Sequence, residues 1–221
     1  DPNNRENTFL SYYTWGSGIG LALDLTLRSR FPGLTLDHLM REMWSTHGVP
    51  ELPYDVDDIE AALGRVTRDE RFARDFFARY IRGREAPDYE GLLAAAGVEL
   101  GLARSGDAWL GPLTMDFEGG AAVVRSTPLR DTPLYEAGVD RGDRISSIAG
   151  AAPASREALD RILARRSPGD RVEMRFESRG ATFTVSVPLA ADPLLTGRWL
   201  PDVTVTEEQS AFREAWKTST R

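Results

Sequence analysis

The stretch Val123–Gly150, VVRSTPLRDTPLYEAGVDRGDRISSIAG, decides how this chain is read. It runs strand, turn, short helix, glycine turn, strand. Val123-Val124 is apolar, a Pro-bounded loop follows, and Leu134–Val139 holds a short helix that Gly138 ends. Gly138 tolerates the positive φ of a helix stop, and Gly142-Asp143 suits a tight turn before the strand through Ile145 and Ile148.

Working outward, Ser155–Arg165 places Ala158, Leu159, Ile162 and Leu163 on a helical stripe. Pro168-Gly169-Asp170 marks another turn. The alternating runs Val172/Met174/Phe176 and Phe183/Val185/Val187 predict a hairpin around Arg179-Gly180. This order resembles a bacterial-type PDZ domain over roughly Ala103–Leu189, with Ala137–Ile145 (A-G-V-x-x-G-D-x-I) as its specific part. The resemblance implies a small β-barrel or sandwich with two helices that binds peptide or protein segments. Its groove would comprise the loop Trp109-Leu110-Gly111-Pro112 and a pairing strand beginning Leu113-Thr114-Met115 and running to Phe117. Ala158 and Ile162 would form the opposite wall, with Leu159 and Leu163 turned inward. Pro112 departs from the pattern, because proline lacks one of the backbone N–H groups expected to cradle a carboxylate.

The preceding hundred residues read differently. Apolar periodicity predicts helices over Phe9–Arg30, from Thr35 to near Gly48, after Tyr54-Asp55, over Asp69–Arg82 and over Asp88–Ala96, a helical bundle with short loops. Thr35 is a candidate N-cap. Several chemical motifs fail on inspection. Gly16-Ser17-Gly18-Ile19-Gly20 lacks the dinucleotide-binding spacing and reads as close helix packing. Asp55–Glu60 lacks the central glycine of a calcium loop and reads as an acidic helix start. His38 and Glu42, one turn apart without a third ligand, read as a surface pair, and His47 as a helix-end cation.

Composition narrows the function classes. The chain has 221 residues, no cysteine, a net charge of −7 and a single lysine, Lys217. The acidic balance argues against nucleic acid as a partner. No run of about 18 apolar residues suggests a membrane span. Asp1-Pro2-Asn3-Asn4-Arg5 is neither a start methionine nor a signal peptide, which predicts a piece of a longer or processed protein and leaves the compartment open.

A second resemblance spans nearly the whole chain. Ser11-Tyr12-Tyr13-Thr14-Trp15-Gly16 is similar to the S-Y-Y-x-K-G segment of the glycyl aminopeptidase family, zinc metallopeptidases with a thermolysin-like catalytic domain and a PDZ domain. It continues through L-x-L-D-L-x-x-R at Leu21–Arg28, L-T-L-D at Leu34–Asp37 and F-F-x-R-Y-I-x-G at Phe76–Gly83. L-L-A-A-A-G-V-E-L at Leu92–Leu100 and a run ending R-E-A-W at Glu208–Trp216 close it. The resemblance implies that Tyr13, or Tyr12 beside it, stabilises a tetrahedral oxyanion; Trp15 replaces the lysine.

The family's zinc motif, H-E-x-x-H, does not occur in this sequence. The expectation is therefore a C-terminal fragment, inactive and metal-free by itself, whose parent carries zinc and whose partner is the N-terminal remainder of the catalytic domain. The expected division is a helical subdomain over 1–98, a PDZ domain over 99–191 and a tail with a short helix over 192–221. A non-catalytic interaction protein built on the PDZ module is the alternative.

Overall fold

Helix-compatible and strand-compatible patterns separate in space as they do in sequence. The computed structural model describes residues 4–112 and 114–218. The chain divides into two compact units. A sheet unit takes Asp1–Leu10 and Leu102–Thr196, and a helical unit takes Ser11–Gly101 and Gly197–Arg221. The described residues before Ser11 group with the sheet unit, and those from Gly197 onward with the helical one.

In the helical unit, α2 (Tyr12–Arg30), α3 (Leu36–Met43), α4 (Val56–Thr67), α5 (Glu70–Phe76) and α6 (Tyr89–Ala94) follow one another. The first helix expected at Phe9 starts at Tyr12, because Ser11 takes the extended N-cap conformation. α3 and α5 each run on into a π-helical turn, Trp44–Gly48 and Phe77–Ile81. Leu23 and Leu27 of α2, Leu39, Leu63, Phe72 and Phe76 share one core. Full burial of such side chains contributes about 1.5–3 kcal/mol each.

The caps show why the helices start where they do. Asp55 accepts from the N–H groups of Asp57 and Asp58, so the acidic run is a helix start as expected. The Thr35 N–H donates to His38 Nδ1 at 3.2 Å, while Glu42 pairs with Arg65 at 2.6 Å. The expected His38–Glu42 surface pair is thus replaced by two separate structural contacts. Within the Gly16–Gly20 run the close approach is at Gly18, where a Cβ would lie 2.9 Å from the Tyr89 hydroxyl oxygen.

The sheet unit opens with α1 (Arg5–Thr8). The strands β3 (Met115–Glu118), β4 (Ala121–Val124), β5 (Arg144–Ile148), β6 (Arg171–Ser178) and β7 (Ala181–Pro188) form an antiparallel sheet in that order. Among the described residues its outer strands do not pair, so the sheet is open and the expected barrel is not closed. A separate short pair joins β2 (Ala108–Trp109) to β8 (Ala190–Ala191). α7 (Pro133–Glu136) and α8 (Arg156–Leu163) complete the unit. The predicted hairpin is present: Arg179 and Gly180 take φ of +52° and +83°, the two positive values of a type I′ turn. On one face Val172, Met174 and Phe176 are buried, and the in-register partner Phe183 stacks on Phe176 at 5.4 Å. Phe183 itself stays 45 % exposed, unlike the inward residue that its alternation predicts.

β1 (Val98–Leu102) and β9 (Leu195–Trp199) pair with each other, and α9 (Glu207–Lys217) follows. Arg213 of α9 is buried. Its guanidinium donates to the carbonyls of Ala96 (3.2 Å), Gly97 (3.1 Å) and Leu200 (3.3 Å), and pairs with Asp202 at 3.0 Å. Gly97 has φ +67°, and a Cβ there would meet Arg213 at 2.7 Å, so glycine is required on both conformational and steric grounds. Gln209 of the same helix donates to the Ala94 carbonyl at 2.9 Å.

Arg213→Met keeps much of the apolar stem but leaves the Ala96 and Leu200 carbonyls without their donor, while the Gly97 carbonyl keeps the Leu200 N–H at 2.8 Å. A buried unsatisfied group costs about 1–3 kcal/mol, so we predict a loss of about 3 kcal/mol or more in urea unfolding followed by tryptophan fluorescence. A loss under about 1 kcal/mol would show that solvent or neighbouring donors replace the guanidinium.

Candidate functional site

Two places combine exposed chemistry with a rigid support. The first is a cavity of about 540 Å³ in the sheet unit, lined by the β2–β3 connection, by Met115 and by α8. β3 is the edge strand of the sheet, hydrogen-bonded to β4 alone within it. Of the residues expected in the groove, Trp109, Leu110, Gly111, Pro112 and Met115 line the cavity. Thr114 does not; its N–H donates to Ser126 Oγ at 3.0 Å and its carbonyl accepts from Arg125. Leu113 lies outside the described residues.

α8 forms one wall of the cavity. Leu159 and Leu163 line the cavity, whereas Ala158 and Ile162 do not. Ile162 packs partly buried against the core, and Leu159, 3 % exposed, serves both core and cavity. An apolar stripe of two adjacent rows does not reveal which row faces the core.

Sequence reading also missed the cavity's charges: Arg104, Arg156 and Arg166 against Asp107, Asp160 and Asp192. Asp192 is buried; it accepts from the Leu194 N–H at 3.0 Å and pairs with Arg104 at 3.1 Å. That pair joins residues 88 positions apart and leaves no local signal. Arg156 and Asp160 do carry one, since their i, i+4 spacing places both on one side of α8. The Arg156 guanidinium sits 5.7 Å from the Phe117 ring centroid. Gly111 takes φ +133°, and a Cβ there would come within 3.2 Å of Thr132, so the loop is held closely against the α7 entry.

The second place is the start of α2. Tyr12 and Tyr13 are 68 % and 74 % exposed, with ring centroids 4.3 Å apart. A hydrogen bond with Tyr13 raises the Tyr12 pKa above its ordinary value. Trp15, where the resembling family has lysine, is partly buried against the helical core.

The other segments of the long resemblance serve the scaffold. Asp24 accepts from the Leu36 N–H at 2.9 Å and holds Arg28 at 2.7 Å; Arg28 in turn reaches the Ala215 carbonyl at 3.2 Å. Phe76 and Phe77 are core, and Arg213 and Gln209 anchor the terminal helix. His47 packs edge-on to Tyr54 at 5.8 Å. Among the described residues no three His, Asp or Glu side chains are grouped to hold a metal ion, so none is assigned to one.

No protein-family model matches this chain, and neither does any curated protein. Solved structures do. An aminopeptidase N family protein from Idiomarina loihiensis is similar over 98 % of this chain, with a TM-score of 0.74 and 23 % identity. An HtrA-type protease with decapeptide matches 46 % of the chain at 18 % identity and a TM-score of 0.36, covering 32 % of its own length. A photosystem II D1 C-terminal processing protease matches 80 % at 18 % identity and a TM-score of 0.34, covering 45 % of its own length. The present chain spans 38 % of the Idiomarina chain. At these identities the comparison speaks of architecture, and this chain has a fold similar to that part of the aminopeptidase N family protein.

Proposed function

We propose that the chain is the C-terminal part of a zinc-dependent aminopeptidase acting on peptides with small N-terminal residues. The helical unit supplies the helical back of the catalytic domain, and the sheet unit is a PDZ module that binds peptide segments. The observation that carries this reading is the contrast within the long resemblance. Its other segments are taken up by packing and caps, while Tyr12 and Tyr13 stand exposed on a firmly anchored helix. The likeness of fold over 98 % of the chain supports it.

A phenol with a pKa of about 10 is a neutral donor near pH 7. It suits the oxyanion that develops when a peptide carbonyl becomes tetrahedral. Tyr13 is the better donor of the pair. It falls on the position that the resembling family uses to stabilise the oxyanion, and it is the more exposed of the two. In this reading the zinc and its ligands would belong to the remainder of the catalytic domain, the partner the proposal requires; among the described residues no group of His, Asp and Glu is placed to hold a metal ion. Loss of one oxyanion donor lowers kcat by roughly 10²–10³-fold. We predict that loss for Tyr13→Phe in the zinc-loaded longer protein, with Tyr12→Phe retaining most of its kcat. The reverse pattern would move the role to Tyr12, and full activity in both variants would show that neither tyrosine stabilises the oxyanion.

In the sheet unit, β3 offers an unpaired edge beside α8, the arrangement in which a peptide adds as a further strand. Pro112 withholds one N–H from the loop that would cradle a terminal carboxylate. A hydrogen bond to a charged group contributes about 1.5–3 kcal/mol. Capture of free C-termini is therefore weak, and internal segments bind comparably. Calorimetric titration of a peptide panel in free-acid and amidated forms tests this: similar affinities are expected. A free-acid preference above about tenfold, or about 1.4 kcal/mol, would show that the cradle works despite Pro112.

A further inference from the structure

One side of the helical unit carries large apolar side chains that its own core leaves uncovered. Met40 and Trp44 are 62 % and 67 % exposed, although α3 packs on that core through Leu36 and Leu39. Leu36, Met40 and Trp44 follow at i, i+4 and i+8, so they form one row along α3 and into the π-helical turn. The Trp44 ring occupies the place that a Cβ at Gly48 would take, so a side chain at position 48 would displace it. The row continues on α2. A Cβ at Gly20 would lie 3.9 Å from Leu36 Cδ2, and Asp24, one turn on, accepts from the Leu36 N–H. Tyr13, Gly16 and Gly20 lie at i, i+3 and i+7 on one side of α2. A Cβ at Gly16 would meet nothing within 4 Å, so the backbone there is bare.

We propose that this seam, from Tyr13 across Gly16 and Gly20 to Met40 and Trp44, is the face on which the preceding part of the longer polypeptide docks. None of Tyr13, Gly16, Gly20, Leu36, Met40 and Trp44 carries a charge, in a chain where 28 % of residues do. Depletion of charge, with aromatic and Met side chains in its place, is the composition of an interface core. An exposed tryptophan set over a glycine is a ready anchor, because little side-chain freedom is lost when a partner covers it. Bare backbone at Gly16 lets that partner approach α2 closely. Tyr13 identifies the occupant. As the proposed oxyanion donor it needs the zinc-bearing remainder to stand over it, and the seam leads from there to Trp44. The similar Idiomarina chain has room for such a remainder, since the present chain spans 38 % of it. The docking face rests on the reading of this chain as part of a longer catalytic domain, and it adds where the two parts meet.

Thiol labelling tests the face without any assay of activity. The chain has no cysteine, so Met40→Cys introduces a single reporter. It is compared in the present chain and in the longer protein, the latter with any native cysteines changed to serine. Arg74→Cys, at an exposed position of α5, is the reference. Maleimide should label Met40→Cys quickly in the present chain at every concentration. In the longer protein labelling should be at least about tenfold slower, as burial in an interface core requires. Arg74→Cys should react alike in both. Trp44→Cys is a second probe if Met40→Cys fails to fold. A longer protein that lacks H-E-x-x-H yet protects Met40→Cys would sink the aminopeptidase reading and leave the docking face standing. Equal labelling of Met40→Cys in both forms, or equal protection of Arg74→Cys, would overturn the docking face. Protection in the present chain that grows with concentration would overturn it too, by making a second copy the occupant.

Discussion

A buried guanidinium is the most elaborate tie between the helical unit's two chain segments, beside the Gln209–Ala94 and Arg28–Ala215 bonds. Arg213 returns from the far end of the sequence to satisfy the last carbonyls of the α6 region, at Ala96 and Gly97, and the carbonyl of Leu200 beyond β9. Its carboxylate partner Asp202 is 95 % exposed and remains solvated. The pair's Coulomb energy is therefore small, and the three carbonyls are what make the buried charge tolerable. The Trp199 ring centroid lies 4.8 Å from the guanidinium, a cation–π contact. Gly97 completes the arrangement, because any side chain there would occupy the guanidinium's place. Through Arg28, which reaches the Ala215 carbonyl, the same terminal helix is tied to α2 and hence to the support of Tyr12 and Tyr13. A tail that reads as an appendage is thus part of the platform for the candidate catalytic residues.

How much of this was legible depends on whether the cause is local. Caps and turns were readable: Thr35, Asp55 and the Arg179-Gly180 hairpin act through neighbours in sequence. The alternation in β6 named its buried face. Long-range pairings left no such trace. Arg104–Asp192 and the Arg213 cluster join residues about a hundred positions apart, and composition suggested only that arginine is abundant. The helix α8 is an intermediate case. Its apolar stripe was visible, but the choice between its two rows depends on the sheet beneath it, and Leu159 and Leu163 took the cavity side. Barrel closure was likewise a tertiary property, and the outer strands remain unpaired.

The candidate sites divide along the same line. The tyrosine pair was singled out through a motif and is exposed at the start of α2. The groove was found through topology, yet its charged lining became visible only in the folded chain. Both sites sit on anchored secondary structure, and Asn7 bonds the loop at Pro128 and Arg130 with both amide atoms. Preorganisation of this sort is what makes a polar donor effective, because no reorganisation is needed when charge develops.

The account stands or falls on whether this chain continues a metallopeptidase catalytic domain. Determining the reading frame of the gene ahead of Asp1 tests that directly. An in-frame H-E-x-x-H followed by a downstream glutamate is the predicted result; an upstream frame without that motif would contradict the account.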